Sequence, residues 1–146
     1  MKFSTRVEYG VLALTDIALH SENGSSVSAP DIAERQGVSQ KYLEQILTHL
    51  KQAGMIRAQK GLRGGYALAR PAEGIRMSEI LDALDNSILE DTRTENNGGT
   101  LRDAVNVCLW RKMNRSMIDF AENKMFSEFL TECREQLREE WDDYVI

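Results

Sequence analysis

The sequence is short of the features that mark secreted, membrane-bound or catalytic chains. Its 146 residues include two cysteines, Cys108 and Cys133, too few for a disulfide scaffold or a C-x-x-C zinc site. No apolar run approaches the roughly 18 residues that span a bilayer, and no signal-peptide pattern opens the chain. The expectation is a cytoplasmic protein without a membrane segment. The two histidines, His20 and His49, stand apart, with no carboxylate or cysteine at ligand spacing. No Ser/His/Asp or Cys/His arrangement suggests itself, and no carboxylate pair stands out from the general acidity. Gly61-Leu62-Arg63-Gly64-Gly65 lacks the Gly-Lys-Ser/Thr ending of a phosphate-cradling loop, and a tight hairpin explains its glycines better. We expect neither an enzyme nor a metal site.

Apolar residues at 42% and charged residues at 28% exclude a disordered or fibrous chain. The length suits one domain, or a small domain with an attached helix. The net charge of −5 argues against a polyanionic partner, but it averages over an asymmetry. Residues 1–70 carry nine Lys/Arg against six Asp/Glu, whereas residues 71–146 carry nine against seventeen. Within 40–70, six cations (Lys41, Lys51, Arg57, Lys60, Arg63 and Arg70) stand against Glu44 alone. A basic segment inside an acidic protein is an electrostatic footprint for a polyanion.

Thr5 followed by Glu8 fits a capping box, and Val7, Val11, Leu14 and Ala18 then recur at helical spacing, so a first helix is predicted over 5–20. Ser28-Ala29-Pro30-Asp31 opens a second, with Ile32 and Ala33 inward and Gly37 as its stop. Ser39 caps a third, over 39–53, buried through Leu43, Ile46, Leu47 and Leu50. Two short helices joined at a glycine turn make a helix-turn-helix. Residues 56–69 read as strand, glycine turn, strand, which is a wing. Met77 to Leu84 makes a short amphipathic helix. The fold class expected is mainly α with a small β-hairpin wing: a winged helix-turn-helix domain plus a long dimerisation helix.

The boundaries are 1–85 for the DNA-binding domain and 86–100 for an exposed loop, a candidate sensing region. A dimerisation helix follows over 101–124, then an acidic amphipathic C-terminal helix over 125–146. Leu101, Val105, Leu109, Met113, Met117, Phe120 and Ala121 trace one stripe of the long helix, with Trp110 and Ile118 beside it. A domain of about 85 residues cannot easily bury so apolar a helix. It is therefore expected to pack against its copy in a homodimer, presenting two recognition helices one DNA turn apart.

The functional candidates lie on the third helix and the wing. Ser39, Gln40, Lys41 and Gln45 sit near the helix N-terminus, the end that meets base edges in such motifs. Gln45 has the geometry for adenine and Ser39 for a phosphate. Lys60 and Arg63, at a turn of glycines, suit a minor groove or phosphates. Tyr42 reads as a backbone contact or a core aromatic, and Tyr66 as a buttress of the wing. Glu44 reads either as a specificity element, accepting from cytosine N4 or repelling wrong sequences, or as a surface carboxylate. The bland alternative is a solvated basic face on an ordinary helical domain. Cys108 and Cys133 fall on or beside apolar stripes, where burial is the simpler expectation and a thiol switch or metal ligand the other.

Lys2-Phe3-Ser4-Thr5, Tyr9-Gly10, Ser39-Gln40-Lys41-Tyr42-Leu43-Glu44-Gln45 and Gly61-Leu62-Arg63-Gly64-Gly65-Tyr66 together resemble the Rrf-type winged-helix regulators, the family of IscR, NsrR, RirA and CymR. The resemblance covers residues 1 to about 120. It implies a homodimer with a long crossing helix that binds an imperfect palindrome in double-stranded DNA and usually represses transcription. It also places Ser39, Lys41, Gln45 and Lys60 where members touch DNA. The family's iron–sulfur members carry three cysteines in the loop before the dimer helix, and residues 86–100 contain none. Glu8 matches a position where some members supply a carboxylate, and Cys108 lies away from the usual third cysteine. Those two are poor partners for a cluster that wants thiolates. The resemblance thus points to the cluster-free, CymR-like branch, controlled by a partner enzyme or a small molecule. The alternatives are an iron–sulfur or thiol-based sensor of redox state or nitric oxide, and a module docking a partner enzyme through its C-terminal helix.

Overall fold

The computed structural model describes residues 3–61, 64–90 and 98–144, with the backbone alone for Asn23 and residues 141–144. Helix α1 (Thr5–His20) starts from Ser4, whose side chain accepts from the Val7 amide at 3.4 Å. The capping box expected at Thr5 and Glu8 is therefore displaced by one residue: Ser4 holds the extended cap conformation, and Glu8 is left as an exposed side chain. Helix α2 (Ala29–Gln36) begins at Ser28 with proline in its first turn and ends at Gly37, whose φ of 66° few other residues adopt cheaply. Ser39 caps α3 (Gln40–Gln52), its hydroxyl accepting from the Tyr42 amide.

The three helices close on one core. Leu14, Ile17, Ile32, Leu43, Ile46, Leu47 and Leu50 are fully buried, and Ile75, Ile80 and Leu84 join them. Helix α4 (Met77–Leu84) crosses α1 at Gly10, where a Cβ would stand 2.3 Å from the Leu84 side chain. Strands β1 (Ile56–Gln59) and β2 (Gly65–Leu68) pair antiparallel, from Ile56 opposite Leu68 to Gln59 opposite Gly65. Val27 flanks β2 as an isolated antiparallel bridge, exchanging backbone bonds of 2.8 and 2.7 Å with Tyr66. That close approach requires Gly65, since a Cβ there would meet the Val27 carbonyl at 2.6 Å.

The loop expected to be exposed over 86–100 is anchored at its start. Asp85 accepts from the Ser87 amide and hydroxyl, Ile88 packs on the core, and the Glu90 carbonyl accepts from Asn114. Residues 91–97 lie outside the described residues. A long helical rod follows: α5 (Leu101–Val105), a π-helical turn (Asn106–Trp110) and α6 (Arg111–Asn123), with helical backbone through both junctions. Only Ala121 of this rod is buried. Backbone bonds from Met77 to the Lys124 carbonyl and from Phe126 to the Ile75 carbonyl tie its end to α4. Helix α7 (Phe126–Tyr144) then returns Phe126 and Leu130 to the core.

Candidate nucleic-acid interface

A buried charge sets the helix-turn-helix in place. Asp16 on α1 is 2% exposed and accepts from Arg35 at 3.0 and 2.8 Å and from Gln36 Nε2 at 2.7 Å. Burial pushes its carboxyl up, but the bonds from Arg35 and Gln36 outweigh that and hold it below its usual value of 3.8. Arg35 and Gln36 are the last two residues of α2, so this carboxylate fixes the helix immediately before the turn into α3. His20 Nδ1 is hydrogen-bonded to the Asp16 backbone carbonyl at 2.8 Å and lies 3.4 Å from the same carboxylate, so, contrary to the expectation of none at ligand spacing, an acid stands one helical turn from this histidine. A polar Asp16 between Leu14 and Ile17 in an apolar stripe was the available signal; its partners, nineteen and twenty residues on, left none.

With Leu43, Ile46, Leu47 and Leu50 inward, α3 turns Gln40, Lys41, Glu44, Gln45, Thr48 and Lys51 to solvent. Gln40 Nε2 donates to Glu44 at 3.2 Å, so the one acid of this face is paired along its own helix. Tyr42 is half-buried, edge-on to Tyr9 with ring centroids 6.1 Å apart. Ser39 is exposed. Gly54, at φ 76°, turns the chain from α3 into the wing. Lys60 is exposed at the hairpin, beside Gly61 at φ 138° and a bond from the Gly64 amide to the Gly61 carbonyl. Arg63 lies outside the described residues.

The burial expected for the two cysteines fails at Cys108. It is exposed, because the π-helical turn that carries it stands clear of the core. Cys133 is half-buried, and burial, with Glu132 nearby, pushes its thiol up. Glu8 lines an apolar groove with Met113 and Phe120, while Cys108 lines a separate depression with Thr100 and Asp103. Among the described residues no group of three or more His, Cys, Asp or Glu is placed to hold a metal, and none of the described helices is long and apolar enough to cross a membrane.

The Rrf2 family of iron-dependent transcriptional regulators matches residues 3–132. The chain belongs to the Rrf2 family. It is 34% identical to the regulator IscR of Klebsiella pneumoniae over 132 residues, covering 89% of this chain and 80% of that protein. Against IscR of Cereibacter sphaeroides it is 45% identical over 89 residues, 60% of this chain and 57% of the relative. Among solved structures, IscR of T. potens superimposes with a TM-score of 0.75 at 32% identity, over 93% of this chain and 90% of that one. CymR of B. subtilis, the global cysteine regulator, shares the fold with a TM-score of 0.78 at 23% identity, over 90% and 98%. These relatives make the chain a transcriptional regulator with a DNA-binding winged helix, not an enzyme. The family's description names iron, but the donors here do not fit an iron–sulfur group. The chain has two thiols, one exposed on the rod and one half-buried on α7, and such clusters want thiolates.

Proposed function

We propose that the protein works as a homodimer binding an imperfect palindrome, reading bases with α3 and gripping phosphates with the wing. Repression is the expected output, under control of a small molecule or a partner protein. The observation that carries this reading is the outward face of α3, where Gln40, Lys41, Gln45 and Lys51 are exposed while the opposite face is fully used by the core. Support for pairing of two chains comes from the rod: Leu101 is 81% exposed, Phe120 65% and Trp110 54%, a surface that a lone chain leaves in water. Gln45 is assigned to base contact; Ser39, Lys41, Lys60 and Arg63 to phosphates; Gln40 and Tyr42 to support at the same helix end; and Glu44 to discrimination. The test is a salt titration of binding to a palindromic duplex selected from random sequence. Phosphate neutralisation predicts steep loss of affinity between ~50 and 200 mM salt, and Lys60→Ala flattens the slope by about one. A salt-independent affinity contradicts the reading.

Iron sensing has one observation in its favour, the description of the family. Metal analysis and a visible spectrum of anaerobically purified protein decide it. Colourless, iron-free dimers that bind the selected duplex fit the cluster-free reading, and iron with charge-transfer bands overturns it.

A further inference from the structure

An open groove of about 660 Å³ runs between α1, the C-terminal end of α2 and α7. Leu12 and Leu19 contribute from α1, and Phe129, Cys133 and Leu137 from α7. Leu12 and Leu137 are 37% and 50% exposed, although both face an apolar cleft. The volume falls in the roughly 300–1,000 Å³ range of small-molecule sites. One wall is acidic: Glu132, Glu135 and Glu139 rise from α7, a helix with seven carboxylates against two arginines. Lys124 pairs with Glu132, and Arg134 with Glu22, whereas Glu135 and Glu139 have no cationic partner among the described residues.

This chemistry selects the occupant. A nucleic acid is repelled, and two copies meeting groove to groove would bring two acidic walls together at close range. An apolar body with a cationic head satisfies both the cleft and its wall. The groove also reaches the helix-turn-helix, because Gln36 lines it and donates to buried Asp16 at 2.7 Å, one residue before the turn at Gly37.

We propose that this groove binds a small amphipathic organic cation, a protonated amine with an apolar tail, and that Gln36 relays its occupancy to the turn between α2 and α3. The relay deepens the DNA-binding reading above and rests on it for its regulatory consequence; the site itself does not. The test is calorimetric titration of the full chain with octylammonium chloride, with octanoate as the charge control. Saturable binding of one octylammonium per chain is expected, with octanoate inert. The surface double variant Glu135→Gln/Glu139→Gln should weaken binding about fivefold, the scale of two exposed charge pairs. Thr15→Phe, which fills the cleft, should abolish it. Bound octylammonium should also slow alkylation of Cys133 by iodoacetamide and leave exposed Cys108 unaffected. Absence of saturable binding, equal binding of octanoate, or insensitivity to the double variant overturns the site. No octylammonium binding, together with Cys133 alkylation that quickens as the protein is diluted, assigns the groove to a second copy and overturns it as well. The relay predicts that octylammonium changes amide exchange at residues 36–39, and unchanged exchange at saturation overturns it. Failure of the free protein to bind the selected duplex contradicts the DNA reading alone, because neither calorimetry nor exchange depends on DNA.

Discussion

Residues 3–84 and residues 101–123 are both built from amphipathic helices, yet they treat their apolar faces in opposite ways. In the first region Leu14, Ile17, Leu43, Ile46, Leu47 and Leu50 are removed from water, and what remains outside on α3 is polar and cationic. In the second, Leu101, Leu109, Trp110, Met113 and Phe120 stay exposed and only Ala121 is buried. The first region, its core closed by Phe126 and Leu130 of α7, hides its apolar faces, and its outer surface is free to recognise something. The second is incomplete, and its surface calls for a partner. A hydrophobic stripe therefore does not by itself reveal a core residue; the neighbouring elements decide whether it is spent inside the chain or between chains.

The largest effect that sharpens this contrast is expected where the acidic C-terminal helix joins the first region's core. Phe126 is fully buried and stacked on Phe129, so Phe126→Ala should cost about 3–5 kcal/mol in denaturant unfolding. Asp16→Asn comes next, at about 3 kcal/mol, because it breaks a buried charge network. Its pH dependence has a definite sign. The native carboxyl lies below the usual 3.8, so the stabilisation is present above that value and fades as pH falls through the native value. Unfolding curves recorded as a function of pH should show that acid-side loss in the wild type and a flatter profile in Asp16→Asn.

The second region is tested by the opposite outcome. Trp110→Glu should leave the unfolding of the single chain nearly unchanged while weakening self-association by about 2 kcal/mol or more, roughly thirtyfold, in sedimentation equilibrium. A comparable loss of single-chain stability would break the comparison. On the reading face, Gln45→Ala should relax base preference at one position by about 1–3 kcal/mol in competition binding. Lys60→Ala is the smallest change: it weakens all duplexes alike and lowers the salt slope by about one.

Much of this architecture was legible in local patterns. The periodicity of Val7, Val11, Leu14 and Ala18 marks α1, Ser28-Ala29-Pro30-Asp31 marks the start of α2, and Gly37 marks its stop. The outward face of α3 followed from the same arithmetic. The first cap lies one residue before the expected one because Ser4 and Thr5 are both good caps, and the Thr5-Glu8 spacing points to the second. Interactions between distant segments left no local trace. The Arg35 and Gln36 bonds to Asp16 and the pairing of Arg76 with Met125 join residues far apart in sequence. Cys108 departs from expectation for a related reason: the sequence shows its position beside an apolar stripe, whereas the exposure of that stripe depends on where the rod sits.

The most direct test of the central claim is the stoichiometry of the complex with a selected duplex, measured by sedimentation alongside the salt titration. The account predicts two chains on one two-fold symmetric site, with symmetry lost in Trp110→Glu and affinity falling steeply as salt rises. A single chain bound per duplex with unchanged affinity across the salt range would contradict it.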